Sequence, residues 1–402
     1  MPKSKAQFSR DIILVTGGSG LIGQAVASHF ARKFQGVALD VKKPRRSIRN
    51  FDFVEMDVSS TNSVRAALHK IRQRYGNRIA SVIHLAAYYS FSGEHSAKYD
   101  EITVRGTERL IDELQTFEVE QFIFSSTMLV HAPCEVGQRI RESSALDPKW
   151  PYPKSKIDAE NVIKTRLKNT PYVLMRIAGV YDDRCHSIPI AHQIERVYEH
   201  HLTGHFYPAD PKRGQPFVHL EDLVQAFSRA VIKRRELPHE LALLIGEPET
   251  LSYGDLQERL GFLIHGEQWK TLQILKPVAK VGAWIQDQIP IGEEPFIKPF
   301  MVDLASDHYA LNISRAKELL GWAPQHRLKE TLPQMIETLK MDPESWYQEN
   351  HLSKPIPVAV KLRKRIPWIV SALGVAVFGF LAWQKRKAKL KAVRRDQFGR
   401  AA

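Results

Sequence analysis

The chain has 402 residues, enough for a full hydrophobic core, and its two cysteines exclude a disulfide framework or a CxxC motif. The net charge of +14 resembles that of a nucleic-acid-binding protein. However, residues 354–402 hold 13 Lys or Arg and one acid, a net of +12, which leaves only +2 for residues 1–353. We therefore expect a nearly neutral body, no nucleic-acid partner and a reducing compartment.

The first predicted elements are a strand, a glycine turn and a helix. The apolar run Ile12 to Val15 precedes three glycines spaced by three residues, and a helix is predicted over Gln24 to Phe34. Glycines let backbone N–H groups approach a pyrophosphate, and a helix N-terminus adds partial positive charge. We therefore predict a dinucleotide site at Gly17, Gly18, Ser19, Gly20, Leu21, Ile22 and Gly23.

The second predicted strand, Val37 to Leu39, is followed by an acidic residue that distinguishes between NAD and NADP. Asp40 lies about 20 residues after the glycines, where a carboxylate binds an adenosine ribose. The basic stretch Lys42 to Arg46 would suit the 2′-phosphate of NADP, but Asp40 would repel that phosphate. NAD is therefore the predicted cofactor, with NADP as the alternative.

Two more predicted strands end in residues that suit a cofactor. Strand Phe53 to Met56 is followed by two residues that we expect to border the adenine, Asp57 and Val58. A polar helix, Thr61 to Tyr75, leads to strand Ala80 to Ala87, in which we predict that His84 is a core histidine. The end of that strand would let the cofactor lie close, at Leu85, Ala86 and Ala87.

The next predicted pair is a helix, Lys98 to Phe117, and a strand, Gln121 to Thr127. The carboxyl end of this strand carries three hydroxyl groups, those of Ser125, Ser126 and Thr127. Ligands of open parallel sheets bind beyond the carboxyl ends of the strands, so these groups should face the cofactor crevice. The alternation of strands and helices predicts a doubly wound α/β domain.

Tyr152 and Lys156 form a candidate acid–base pair. They are four residues apart in the segment Pro151 to Ile163, so they share a face if that segment is helical. A phenol ionises near pH ~10, and a nearby ammonium favours the phenolate. Tyr152 would then exchange a proton with the substrate oxygen as hydride moves to or from nicotinamide, while Thr127 orients that oxygen.

The motifs TGGSGLIG, HLAA, FSST, YPKSK and FVHLEDL, in this order, resemble the extended short-chain dehydrogenase/reductase family over residues 10 to 340. The resemblance implies a Rossmann domain, a smaller C-terminal substrate lid, no metal, and a homodimer through the helices at 98–117 and 152–167. It also implies a catalytic set of Thr127, Tyr152 and Lys156, with Ser126 as the alternative hydroxyl. Tyr152 and Lys156 would also contact the cofactor, Lys156 at the nicotinamide ribose.

Three departures from the family pattern concern the substrate. Thr103 stands where an asparagine is usual before the hydroxyl strand, and Gly179 stands where sugar-nucleotide enzymes usually have an asparagine that meets the diphosphate. Gln215 and Pro216 replace an Arg-Asp pair that often precedes FVH in those enzymes. The sequence therefore resembles the sterol and hydroxysteroid dehydrogenase branch more closely.

The C-terminal region has the pattern of a membrane anchor. The 18 residues from Ile366 to Trp383 hold no charged side chain, and as a helix they would reach about 27 Å, close to the ~30 Å hydrocarbon core of a bilayer. Basic residues flank both ends. We therefore predict membrane lipid as a partner and a catalytic body on the cytoplasmic side.

The predicted division of the whole chain begins with a Rossmann domain at 1–180, to which strands and helices near 217–247 also contribute. It continues with a lid at 181–340, a linker at 341–365, a membrane segment at 366–383 and a basic tail at 384–402.

These features predict a membrane-anchored NAD(P)-dependent oxidoreductase. Its small-molecule substrate would be an apolar secondary alcohol or ketone, sterol-like or isoprenoid-like. A nucleotide-sugar epimerase or dehydratase would use the same catalytic set and is the alternative. A non-catalytic NAD-sensing membrane scaffold is a third reading, which the intact Thr127, Tyr152 and Lys156 disfavour.

Overall fold

The computed structural model describes residues 12–44, 46–90, 93–277, 279 and 299–353. Up to Leu352 they belong to one compact unit. The strands are β1 (Ile12–Thr16), β2 (Gln35–Asp40), β3 (Phe51–Glu55), β4 (Arg78–Ile79), β5 (Ser81–His84), β6 (Glu118–Val119), β7 (Phe122–Thr127), β8 (Tyr172–Ile177), β9 (Gly179–Tyr181), β10 (Phe206–Tyr207), β11 (Phe217–His219), β12 (Glu240–Ile245) and β13 (Leu272–Gln273).

Helices follow most of these strands. The α-helices are α1 (Leu21–Phe30), α2 (Thr61–Tyr75), α3 (Arg105–Leu114), α4 (Pro151–Arg166), α5 (Ile188–Tyr198), α6 (Leu220–Ile232), α7 (Tyr253–His265), α8 (Pro299–Leu304), α9 (Ser314–Leu320), α10 (Leu328–Met341) and α11 (Pro343–Glu349). A π-helix, Tyr99–Val104, precedes α3, so the predicted helix Lys98 to Phe117 has two parts. Short 3-10 turns lie at Met128–Val130 and Leu202–His205.

A parallel seven-stranded sheet forms the centre, in the order β12-β8-β7-β5-β1-β2-β3. Alternate residues of β1 enter different cores: Ile13 packs in the core that includes Phe30 of α1 and Phe227 of α6, and Leu14 packs in the core that includes Ile163 of α4. Helices therefore cover both faces of the sheet. The predicted doubly wound, Rossmann-like α/β fold is confirmed.

A third core lies among α5, α7, α10 and α11. It contains Trp346 and Tyr347 of α11, both fully buried. The prediction of a linker from residue 341 is therefore wrong at its start, because the folded body continues to Leu352. The polar and proline-containing composition that suggested a linker is instead a helix start, in which the Asp342 side chain accepts the N–H of Ser345 and Pro343 occupies the first turn.

The predicted membrane segment, residues 366–383, and the basic tail, residues 384–402, lie outside the described residues. Within the part of the chain that the structure describes, no helix combines the length and the apolar character needed to cross a bilayer.

Candidate functional site

The glycine loop after β1 packs tightly against neighbouring backbone. Gly17 has a φ of 68°, and a Cβ built on it would lie 3.0 Å from the backbone nitrogen of Ala86. A Cβ on Gly23 would lie 2.2 Å from the carbonyl oxygen of Gly17. A Cβ on Gly18 would lie 2.7 Å from that of Ala38. A side chain at Gly17 or Gly18 would therefore push the loop away from the sheet, and one at Gly23 would push α1 away from the loop.

The N-terminus of α1 opens onto free space at this loop. Gly20 is its N-cap residue, and a Cβ on Gly20 would meet only the carbonyl oxygen of Gly17, at 3.5 Å. Gly20 and Leu21 are exposed, and Ile22 is half-buried. The first N–H groups of a helix have no intrahelical acceptor, so this end fits the pyrophosphate of a dinucleotide.

Asp40, the last residue of β2, lies beside the glycine loop. One carboxylate oxygen accepts the N–H of Ser19 at 3.0 Å, and the other faces the N–H of Lys42 at 3.4 Å. The Ser19 hydroxyl donates to the carbonyl of Lys42 at 2.5 Å. These contacts hold the carboxylate at the edge of the predicted dinucleotide site, where a ribose hydroxyl fits.

Thr16 organises the site, although its role was not predicted from the sequence. Its hydroxyl oxygen accepts the N–H groups of Leu85 and Ala86 at 3.2 Å and lies 2.6 Å from Nδ1 of His84. Nε2 of His84 lies 2.9 Å from the hydroxyl of Thr107. The prediction that His84 is a satisfied core histidine is confirmed, and burial lowers its pKa to about 3. A hydroxyl directly before the glycine turn was the available signal for Thr16.

Asp57 and Val58 close the end of β3. The Asp57 carboxylate accepts the N–H and the hydroxyl of Ser59, at 2.8 and 2.7 Å. Val58 is buried against α3, where a Cβ on Gly106 would lie 3.0 Å from its Cγ2. Contact of Asp57 and Val58 with an adenine, like that of Ala87 with the cofactor, stays a prediction.

The three hydroxyl residues of β7 differ in their contacts. The Ser126 hydroxyl is buried and donates to Oε1 of Glu160 at 2.6 Å. The Thr127 hydroxyl accepts the N–H of Leu129 at 3.3 Å. The carbonyl oxygen of Ser125 accepts a hydrogen bond from Nζ of Lys156 at 2.7 Å. Because the Ser126 hydroxyl is committed to Glu160, these contacts favour Thr127 over Ser126 as the residue available to a substrate.

Tyr152 and Lys156 lie on one helix, α4, which packs on β7. Nζ of Lys156 is 5.8 Å from the Tyr152 ring centroid and 4.8 Å from that of Phe124. Burial lowers the pKa of Lys156 to about 7, and the charge of Glu160 opposes this. Burial also raises the pKa of Tyr152 above its ordinary value. In this geometry burial therefore outweighs the activation of Tyr152 by Lys156 that the spacing suggested.

Aromatic rings surround Tyr152. Its ring centroid is 4.7 Å from that of Tyr89 and 5.4 Å from that of Trp150. Phe300, on α8, lies 6.1 Å from Trp150 and packs over Gly93, where a Cβ would be 2.4 Å from its ring. We call Tyr89, Trp150 and Phe300 the aromatic wall; it gives the candidate catalytic tyrosine an apolar neighbourhood.

The positions that depart from the family pattern have structural partners. Thr103 is buried in the π-helix, and its hydroxyl accepts the N–H of Tyr88 at 3.0 Å. A Cβ on Gly179 would lie 2.6 Å from the ring of Phe217, its partner in the β9–β11 pair. An asparagine at Gly179 would therefore displace Phe217.

A cleft of about 560 Å³ is lined in part by residues 133–135, which come soon after β7 in the chain, and by residues 273–276 and 306–307. Arg213 crosses it: one guanidinium nitrogen lies 2.7 Å from Oε2 of Glu135 and another donates to the carbonyl of Ser306 at 2.9 Å. The cleft and the aromatic wall are joined by the segment from Phe300 to Asp307.

One group of side chains in the described ranges has the spacing of metal ligands: His219, Glu221 and His326. The N–H of Glu221 points at Nδ1 of His219 at 3.3 Å, so Nε2 carries the proton of that neutral ring. The two imidazole rings stack at 4.0 Å instead of converging on a point. These features do not suit a metal.

Comparison with known proteins agrees with this geometry. The sequence profile described as the NAD dependent epimerase/dehydratase family matches residues 13–246, more than half of the chain. The chain is 24% identical to dTDP-D-glucose 4,6-dehydratase of Dictyostelium discoideum in an alignment of length 257 that covers 56% of each protein. It is 23% identical to sterol-4-alpha-carboxylate 3-dehydrogenase of Saccharomyces cerevisiae in an alignment of length 352 that covers 80% of this chain and 95% of that one. The fold also matches UDP-glucose 4-epimerase of Thermus thermophilus in complex with NAD, with a TM-score of 0.62 and 19% identity over 82% of this chain and 99% of that one.

Proposed function

Because this chain belongs to the NAD-dependent epimerase/dehydratase family, and is therefore an NAD-dependent enzyme, we propose that it transfers hydride between NAD and an apolar secondary alcohol or ketone, sterol-like or isoprenoid-like. The aromatic wall carries this proposal. Rings at 4.7 and 5.4 Å from Tyr152 would pack against a hydrocarbon skeleton at the carbon that reacts.

Each candidate residue has a role in the proposed reaction. When bound, NAD supplies the hydride acceptor. Tyr152 would take the proton of the substrate hydroxyl or return it to a carbonyl, and Thr127 would hold that oxygen in place. Lys156 would bind the nicotinamide ribose and, as an ammonium ion, favour the phenolate of Tyr152. Asp40 and the N-terminus of α1 would hold the adenosine ribose and the pyrophosphate.

A nucleotide-sugar epimerase or dehydratase is the second candidate. It has support from the 24% identity to a dTDP-D-glucose 4,6-dehydratase. Against it stands Gly179, where the contact with Phe217 leaves no room for a diphosphate-binding asparagine. The extent of the sequence likeness does not separate the two candidates, because a sterol dehydrogenase matches 80% of this chain and a UDP-glucuronate 4-epimerase matches 86%.

We also propose that residues 366–383 anchor the chain to a membrane with the catalytic body on the cytoplasmic side. The support is the uncharged 18-residue run with basic residues on both sides. An apolar substrate would be concentrated in the same membrane. Fractionation of cells that express the full chain, followed by carbonate extraction, tests the anchor: the protein should stay in the membrane pellet, and its release by carbonate would contradict the proposal.

The substrate proposal is tested with purified full-length protein and NAD. The protein is given hydroxysteroids and isoprenoid alcohols in one set of reactions and UDP-sugars and dTDP-glucose in another, and NADH formation and sugar products are measured. Net NADH formation with an apolar alcohol supports the proposal. Sugar-nucleotide conversion without net NADH would overturn it in favour of the second candidate.

Trp150→Ala and Trp150→Phe form the matched pair of variants. Loss of the indole should raise KM for the apolar alcohol about tenfold, because roughly 1.4 kcal/mol of aromatic contact disappears. The phenylalanine variant keeps a ring and should stay within a few-fold of the wild-type KM. An unchanged KM in Trp150→Ala would show that the aromatic wall does not contact the substrate.

A further inference from the structure

A buried ion pair between α4 and β8 lies one helical turn beyond Lys156, and the roles proposed above do not use it. Glu160 is fully buried and Arg176 is nearly so. Arg176 donates from Nε to Oε1 at 3.0 Å and from Nη2 to Oε2 at 2.7 Å, which is a bidentate contact. Ser126 adds its hydrogen bond to Oε1 at 2.6 Å. The carboxylate is therefore fixed in one orientation.

The other contacts of Arg176 are with uncharged acceptors. Nη1 lies 3.0 Å from Nε2 of His131 and donates to the carbonyl of Glu142 at 3.1 Å. Burial, followed by the charge of Arg176, lowers the pKa of His131 to about 4, so this ring is neutral at physiological pH. Among these contacts of Arg176, Glu160 is thus the anion that balances its charge.

Lys156 precedes Glu160 by one helical turn, on the same face of α4. Its ammonium group is buried, and its neighbours are the carbonyl of Ser125 and the ring of Phe124. The titratable and charged groups on the surrounding elements include Tyr152 on α4, His84 on β5, Tyr99 in the π-helix and Arg176 on β8. None of these four is an anion at neutral pH, and Glu160 is the group whose charge raises the pKa of Lys156 and so favours its ammonium form.

We propose that Glu160 is a positioning residue: its carboxylate, clamped by Arg176, keeps Lys156 charged and turns the Ser126 hydroxyl away from the crevice, which leaves Thr127 to face the substrate. The inference rests on the proposed roles of Tyr152, Lys156 and Thr127, and it holds for either candidate substrate class. Its test therefore uses a measurement that needs no substrate.

The test is the dissociation constant of NADH, measured by fluorescence with full-length protein from pH 6 to pH 9. Neutral Lys156 binds ribose hydroxyls less well, so the wild-type constant should rise as pH passes the pKa of Lys156. Glu160→Gln removes the counter-charge and should move this midpoint down by about one pH unit. The control Lys164→Gln removes an exposed lysine 3.8 Å from the same carboxylate and should leave the midpoint unchanged.

A double variant separates positioning from folding. Breaking a buried ion pair by removal of one partner is strongly destabilising, whereas replacement of both partners by apolar residues is often neutral. Glu160→Leu with Arg176→Met should therefore unfold near the wild-type temperature yet keep the lowered midpoint. If the folded double variant changed its NADH dissociation constant at the same pH as the wild type, the proposal would be overturned. The Glu160–Arg176 pair would then have only a structural role. Absence of NADH binding in the wild type would contradict the NAD site itself.

Discussion

Tyr152 is the residue on which the proposed chemistry depends most. Burial raises its pKa, so the phenol keeps its proton until a positive charge nearby favours the phenolate. Tyr152→Phe removes that proton and keeps the ring packed between Tyr89 and Trp150. We expect kcat to fall by roughly 10²- to 10⁴-fold, with the dissociation constant of NADH within about twofold of wild type. Steady-state kinetics and fluorescence titration measure the two values.

Tyr89→Phe is the matched control, because it removes a hydroxyl from the neighbouring ring, 4.7 Å away, without changing the aromatic wall. It should keep kcat within a few-fold of wild type. Equal losses in both variants would mean that the hydroxyl of Tyr152 has no special role.

For individual residues, the sequence predicted the kind of environment of a side chain better than it predicted the contacts that the side chain makes. The prediction for His84 followed from an apolar run and holds. The choice between Ser126 and Thr127 could not be made from the sequence, because it depends on Glu160, 34 residues away in the chain, reaching the Ser126 hydroxyl. Thr16 was missed for the same reason: its partners, Leu85 and Ala86, are about 70 residues distant.

At the scale of elements, the order of strands and helices was predictable because buried parallel strands are short apolar runs. Helix α2 was predicted at its observed bounds, and its N-cap, Ser60, accepts the N–H of Ser63. The helix predicted over Lys98 to Phe117 divides where Thr103 bonds to Tyr88, a tertiary contact with no local signal. The glycine loop and α1 together form the predicted NAD site. Substitutions at two of its glycines separate the packing of the loop against α1 from the binding of NAD.

Gly23→Ala and Gly20→Ala should have different effects. The added methyl at Gly23 meets a carbonyl oxygen at 2.2 Å, so α1 must move; we expect a lower unfolding temperature and at least tenfold weaker NADH binding. At Gly20 the added methyl would lie 3.5 Å from the carbonyl oxygen of Gly17, an ordinary van der Waals distance, so the stability of the fold should be nearly unchanged. It would nevertheless occupy the place predicted for the pyrophosphate, and NADH should bind more weakly. Unchanged NADH affinity in Gly20→Ala would place the cofactor elsewhere.

For the whole molecule, the sequence misplaced the end of the folded body. Trp346 of α11 is fully buried in the third core, so Trp346→Ala should destabilise the protein by about 3–5 kcal/mol. A chain ended after residue 341 should fail to fold cooperatively, whereas one ended after residue 353 should unfold near the temperature of the full chain. Thermal denaturation by circular dichroism compares them, and equal stability of the two truncated chains would show that α11 is dispensable.

The proposed reaction is a net hydride transfer from an apolar alcohol to NAD, with Tyr152 as the base. The most direct measurement is the fate of a deuterium label on the carbinol carbon of a hydroxysteroid, incubated with full-length protein and NAD and followed by mass spectrometry of the nicotinamide. We predict that the label appears in NADH with the wild type and is lost to background with Tyr152→Phe. Label that stays on the steroid, while UDP-sugars are converted without net NADH, would contradict the proposed reaction.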